Sequence, residues 1–296
     1  MSKKPHCLEK IAEISAYTFE GNVTLKSIVI PEGVTCIGNS SFRGCSGLTS
    51  VTIPKGVTEI RDYAFGGCRR LTSMTIPETV VEIGNSAFNG CSGLTSVTIP
   101  KGVSYLSYYA FGGCRSLRSV TIPKGVTEIG DSALEKCISL TSVVIPEGVT
   151  RIGDSAFREC RGLTSIVIPD SVTEIGEWAF AGCSGLTSLR IPEGVTMIEE
   201  SVFCGCKSLR AVLWKTPSTS DPEIFPSMVF FPTVKGKGEF LRFAYWSIDS
   251  HDLFPQKDRA MILTLFLSLF RINSEENGEF PPLPLEMVLD VLKFIR

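Results

Sequence analysis

Histidine is scarce in this chain, with two among 296 residues, His6 and His251. Imidazole is the commonest general base and metal ligand near neutral pH, so little of that chemistry is open here. Ser250, His251 and Asp252 are neighbours in sequence, whereas a catalytic triad is built from groups that converge in space. Long apolar runs are also missing. The longest, AMILTLFLSLF from Ala260 to Phe270, is about half of what a membrane span needs. The formal net charge is −2 at pH 7, so no global field draws the chain to nucleic acid or to an anionic membrane. At the start, MSKKPHCLEKIAEI has two lysines with no apolar run behind them, unlike a secretory signal. No phosphate-cradling glycine loop stands between a strand and a helix. These absences predict a cytoplasmic, monomeric protein that is not an enzyme and holds no cofactor or metal. Eleven cysteines is an odd number, and in a reducing compartment they stay thiols.

What is abundant is repetition. Ile-Pro recurs at Ile30, Ile53, Ile76, Ile99, Ile122, Ile145, Ile168 and Ile191, always 23 residues on. The unit reads I-P-x-G-V-T-x-I-G-x-S-A-F-x-G-C-x-G-L-T-S-V-T. A degenerate unit precedes the first, with Asn22 in the place of the cysteine, and Trp214-Lys215 stands where a ninth Ile-Pro would fall. A fixed period in this range means a solenoid, whose units cannot bury an apolar face alone and do so by stacking. In each unit Leu48, Val51 and Ile53 read as a short strand with one face inward. Val57 and Ile60 form a second inward pair. Ala64, Phe65 and Cys68 share a helical face, which predicts a one-turn helical corner.

This pattern resembles the BspA-like, 23-residue class of leucine-rich repeats, also seen in treponemal repeat proteins. The resemblance implies a right-handed coil of short parallel strands and a role in adhesion and protein binding. Many bacterial members of that class are secreted or surface-bound. The fold class expected is a repeat solenoid over residues 1–213, an irregular connecting segment over 214–257, and a small, mostly helical module over 258–296. The last of these pairs a helix from Asp258 to Arg271 with LEMVLDVLKFIR, where Leu285, Val288, Leu292 and Ile295 share a face. LPLEMVLDVLKFI resembles the opening helix of an F-box. The whole tail is similar to C-terminal extensions on protist repeat proteins, through Arg259, Thr264, Leu265, Leu267 and Arg271, then Leu283, Pro284, Glu286 and Met287.

Cys45, Cys68, Cys91, Cys114, Cys137, Cys160, Cys183 and Cys206 form one column. Zinc wants four converging ligands, and a straight ladder offers two near neighbours. A small apolar residue in a tight inner corner is the simpler role. In a solenoid the inward positions are fixed, so a partner must be read at positions that break the consensus. Just after the cysteine, alternate units are basic: Arg69 with Arg70, Arg115, Arg161 and Lys207. Stacked, they make a cationic edge suited to an acidic protein partner. Tyr105, Tyr108 and Tyr109 cluster in one unit, and Tyr63 and Trp178 share the repeat position of Tyr109. Exposed aromatics are common hot spots at interfaces. The reading is a protein-binding scaffold, with an F-box-like ubiquitin-ligase adaptor as the alternative.

Overall fold

The computed structural model describes residues 12–195, 198, 200–209, 211–215 and 227–229. The chain divides into two compact units, residues 1–220 with 226–243, and residues 221–225 with 244–296. Every described residue belongs to the first. The helix pair expected over 258–296 and nearly all of the segment 214–257 lie outside the described residues.

The repeat builds two strips of parallel strands, one rung per unit. The front strip holds the Ser-x-Val/Thr strands. Ser27–Val29 pairs with Ser50–Thr52, and Ser96–Thr98, Ser119–Thr121, Ser142–Val144 and Ser165–Val167 pair in order. The back strip holds two-residue strands, from Glu13–Ile14 to Glu82–Ile83 and again from Tyr105–Leu106 to Glu174–Ile175. Register is one repeat everywhere, as in Glu128↔Arg151 and Ile129↔Ile152. A turn closed by Val57 N donating to Pro54 O carries the chain from front to back. Pro54 lacks a donor and ends the front strand there.

Between the strips lies one continuous core. Leu48, Val51, Ile53, Val57, Ile60, Ala64, Phe65 and Cys68 are all buried, and so are most of their counterparts along the array, with Phe19, Leu25, Ile28 and Met74 half-buried. One sequence position thus fills one place in every rung, as the apolar pattern predicts.

The corner from back to front differs from the expected single helical turn. Tyr63 has φ 55° and Gly67 φ 75°, and a right-handed helix cannot run through either. Successive N–H groups divide between two directions. Ala64, Gly66 and Cys68 donate within the rung to Arg61, Tyr63 and Phe65, while Tyr63, Phe65 and Gly67 donate to Asn85, Ala87 and Asn89 of the next rung. The left-handed residues turn alternate amides outward along the stack, so the corner becomes a third ladder. Among the described residues the one helical element is a 3-10 turn, Glu200–Phe203.

Both strips have a fault in the same region. Ser73–Thr75 has no strand geometry, and its inward residue is the half-buried Met74 where the rungs on either side carry the buried Val51 and Val97. On the back strip the ladder stops between Ile83 and Leu106. There the Ser107 hydroxyl donates to Ile83 O, in the role that the backbone amide of Gly84 or Gly130 plays on its own rung. The corner passes through unbroken, with Phe65–Phe88 and Phe88–Phe111 stacked at 5.5 and 5.2 Å. Beyond residue 213 the front strip runs on. Ala211–Lys215 pairs parallel with Ser188–Ile191, and Ser227–Val229 pairs antiparallel with it.

Candidate interaction surface

The cysteine column is part of the corner's framework. Each thiol donates to a carbonyl of the preceding rung: Cys68 to Phe42 O at 3.2 Å, Cys114 to Phe88 O at 3.3 Å, Cys160 to Leu134 O at 3.2 Å. That carbonyl also accepts the amide three residues on, as Phe88 O does from Cys91 N, so both lone pairs are engaged. Burial pushes the Cys114, Cys160 and Cys206 thiols up to about 12. A thiol held in that range stays protonated and poorly nucleophilic. The packing role read from the sequence is the role the structure shows. Among the described cysteines Cys204 is the exposed exception.

The outer face of the corner carries the partner-binding candidates. Arg69, Arg70, Arg115, Arg161 and Lys207 are all exposed. Arg69, Arg115, Arg161 and Lys207 occupy one backbone situation, each amide donating to the carbonyl two residues back. Two-rung spacing puts neighbouring cations about 10 Å apart. Arg161 is already paired with Glu159 at 3.0 Å. Among the described residues Arg69, Arg70, Arg115 and Lys207 have no carboxylate partner. The intervening rungs offer Ser92, Ile138 and Ser184.

The aromatics are held against the same corner. Tyr63 lies under the Arg43 guanidinium at 5.1 Å and Trp178 under that of Arg158 at 5.8 Å. Tyr108 and Tyr109 meet edge to face at 4.6 Å. The Tyr109 hydroxyl bonds Glu135, whose side chain is almost wholly buried and paired with Lys136 at 2.9 Å. Burial alone would raise the Glu135 carboxyl, but the bonds from Tyr109 and Lys136 outweigh it and hold the group below its ordinary value. Tyr105 belongs elsewhere, on the back strip, with its hydroxyl over Gly130. The structure therefore sets Tyr63, Tyr109 and Trp178 at one corner position, each with positive φ, and places Tyr105 apart on the back strip.

A pairing rule governs this corner. From the second rung on, rungs with an aromatic residue at the left-handed position have a small one three residues on: Tyr63 with Gly66, Tyr109 with Gly112, Trp178 with Ala181; the degenerate first rung departs, with Tyr17 before Glu20. Rungs with serine there have a long side chain: Ser40 with Arg43, Ser86 with Asn89, Ser132 with Glu135, Ser155 with Arg158. At Gly112 the reason is space, since a Cβ there would lie 2.5 Å from Tyr109 Cδ1; at Gly66 the Tyr63 ring would be in ordinary contact at 3.6 Å. The signal is present in the sequence, but it becomes readable only once the ring is seen to lie over the glycine.

Two further features had no such signal. Arg151 on the back strip bridges Glu128 at 2.6 Å, Glu174 at 2.9 Å and Asp131 at 3.1 Å, a clamp across three rungs. Phe19, Phe42, Phe65, Phe88 and Phe111 form one parallel stack, and Phe157, Phe180 and Phe203 another, parted at Leu134. Among the described residues no three His, Cys, Asp or Glu side chains are grouped to hold a metal, and no helix is long and apolar enough to cross a membrane.

A family profile described as a BspA type leucine rich repeat region, of six copies, matches residues 12–141 and 127–225. The chain belongs to the BspA-type leucine-rich repeat family. Solved structures agree. A leucine-rich repeat protein from Bacteroides ovatus is 27% identical with a TM-score of 0.62, covering 69% of this chain and 59% of its own. A leucine rich cell surface protein from Faecalibacterium prausnitzii is 31% identical with a TM-score of 0.50, covering 70% of this chain and 63% of its own. The chain thus spans less than two thirds of either. Comparison with curated proteins finds no match.

Proposed function

We propose that this BspA-type solenoid is a non-enzymatic scaffold that binds an acidic protein partner along its basic corner edge. One observation carries the reading. The same backbone position presents a cation on alternate rungs, and Arg69, Arg115 and Lys207 have no carboxylate partner among the described residues, whereas Arg61 and Arg151 on the back strip are closed by their own carboxylates. A cation left without an internal partner on a regular, rigid edge is available to an external one. The raised ladder thiols and the ion-paired carboxylates support a binding rather than a catalytic role.

The test is affinity capture with the full chain and with an Arg69→Glu, Arg115→Glu variant. The reading expects the partners of the parent chain to be lost on charge reversal, and an unchanged set refutes it. We place the protein in the cytoplasm as a monomer. The exposed free thiol of Cys204 supports a reducing compartment, and the antiparallel Ser227–Val229 covers the front strip's far edge. The F. prausnitzii relative is described as a cell surface protein, which makes a surface location the competing reading, and fractionation decides between them. The adaptor role rests on residues 283–295, and capture by a chain truncated after the solenoid tests it.

A further inference from the structure

The array changes character between Cys91 and Ser96. Among the described residues no strand ladder crosses that point. Before it, the front sheet ends at Ser50–Thr52 and the back sheet at Glu82–Ile83; after it, new sheets begin at Ser96–Thr98 and Tyr105–Leu106. Two side chains account for the break. On the back strip the amide after each strand bonds a carbonyl one rung before, as Arg61 N does to Ile37 O, Gly84 N to Ile60 O and Gly130 N to Leu106 O. At Ser107 the hydroxyl takes that carbonyl, Ile83 O, instead. A serine hydroxyl can compete with the backbone for an acceptor, and the ladder opens there. On the front strip the half-buried Met74 stands between the buried Val51 and Val97. Its unbranched side chain has three rotatable bonds and packs less specifically than the β-branched valines of its neighbours.

The corner is continuous through the same point. Ser86, Phe88 and Gly90 donate to Tyr108, Ala110 and Gly112 at 2.7, 2.9 and 2.7 Å. The Cys114 thiol donates to Phe88 O at 3.3 Å, and Phe88 stacks on Phe111 at 5.2 Å. Just past the corner, Ser116 N bonds Ser92 O and Thr95 N bonds Thr72 O, both at 3.2 Å. At the proline turn, on the far side of the rung, the crossing bond runs from Lys101 N to the Glu78 carboxylate at 3.3 Å.

We infer that the solenoid is two rigid arms joined by a hinge, residues 12–91 and the rungs from Ser96 on, which pivot on the corner and part at the two strips and the proline turn. A stack held along one edge and released along the others opens without separating its halves. Such an opening is a sub-global event that needs few bonds and little packing to be broken. Arg69 and Arg115 lie on opposite arms and directly follow the corner, so their spacing changes least as the arms swing.

The chain carries its own controls for the test. Ile-Pro-Lys-Gly-Val occurs at residues 53–57, 99–103 and 122–126, each time with an exposed lysine and a turn closed by valine N on proline O. On opening, the rung of Lys101 becomes the end of an arm, while those of Lys55 and Lys124 keep a neighbour on both sides. Limited trypsin digestion of the full chain, read by mass spectrometry, should cut at Lys101 about tenfold or more faster than at the other two, the change that about one net hydrogen bond makes in an opening equilibrium. In a Ser107→Gly, Met74→Val variant the Lys101 rate should fall to that of its controls. Ser107→Gly alone, which leaves the core untouched, should already slow it. Equal rates at the three lysines of the parent chain overturn the hinge, and so does a Lys101 rate that neither variant lowers. Amide exchange then locates the pivot: Ser86, Phe88 and Gly90 should stay protected while Ser104–Leu106 exchange, and equal exchange in both places would overturn a pivot at the corner.

Discussion

Raising the pH should unfold this solenoid through its cysteine ladder. Cys114 and Cys160 are wholly buried, and burial lifts each from an ordinary 9.0 to about 12. In the unfolded chain they ionise near the ordinary value, while in the fold they keep their protons. Between about 9 and about 12 the unfolded state therefore binds fewer protons, and stability falls as pH rises. The contribution is whole below the unfolded value and is lost on the way up through the folded one. Each thiol costs about 1.4 kcal/mol per pH unit in that window, so the two together cost about 3. The assay is the urea midpoint under reducing conditions across this range, for the parent and for a Cys114→Ala, Cys160→Ala variant. At neutral pH the variant should be weaker by about 2–3 kcal/mol, since each change removes one buried heavy atom and its bond to a carbonyl. Its stability should then fall less steeply, so that the two curves meet near about pH 10. Parallel curves would refute the reasoning, because the thiols would then not be keeping their protons in the fold.

Three further perturbations test the rest of the framework. Gly112→Ala should destabilise by about 1–3 kcal/mol through the clash with Tyr109. Combined with Tyr109→Ser the two losses should fall short of their sum by about 1 kcal/mol, measured by thermal unfolding; strict additivity would reject the pairing rule. Arg151→Met should cost about 1 kcal/mol at low salt by leaving Glu128, Asp131 and Glu174 to repel one another, and the deficit should shrink in high salt. Leu134→Phe should join the two phenylalanine stacks and stabilise by about 1 kcal/mol through new ring pairs with Phe111 and Phe157; a lower unfolding midpoint would show that this rung has closed around leucine.

The inward half of each rung was legible in the sequence because every rung repeats it. Leu48, Val51, Ile53, Val57 and Ile60 recur at one period, and only a stack with two inward strips buries them all. The corner was harder. Ala64, Phe65 and Cys68 have helical spacing, and apolar spacing does not report backbone sign. The glycine column at Gly44, Gly67, Gly90, Gly113, Gly182 and Gly205 did carry a signal, since each has positive φ and glycine is the residue that enters that region at no steric cost. The other left-handed column is serine, tyrosine or tryptophan, residues with no such preference, so no single residue type could disclose it. The Arg151 clamp was hidden for a different reason. Its carboxylates lie on the two rungs that flank its own, and sequence distance does not show them to be its neighbours until the register is known.

The division between fixed and variable positions explains where recognition can lodge. On the front strip the outward serine column runs from Ser27 to Ser188 without a break, so a partner gains no register from that column. The back strip varies more, but its charges are partly consumed in clamps such as Arg61–Glu59 at 3.2 Å and Arg151–Glu128. At the corner, three slots change together from rung to rung: Tyr63, Gly66 and Arg69, then Ser86, Asn89 and Ser92, then Tyr109, Gly112 and Arg115. The ladder beneath them is made by backbone amides, a thiol and a buried phenylalanine, none of which depends on what those slots hold. The backbone ladder is satisfied from within, so these slots change between rungs within the limits that contacts such as Tyr109–Gly112 set; on the proposed reading, this is where a partner would find its register.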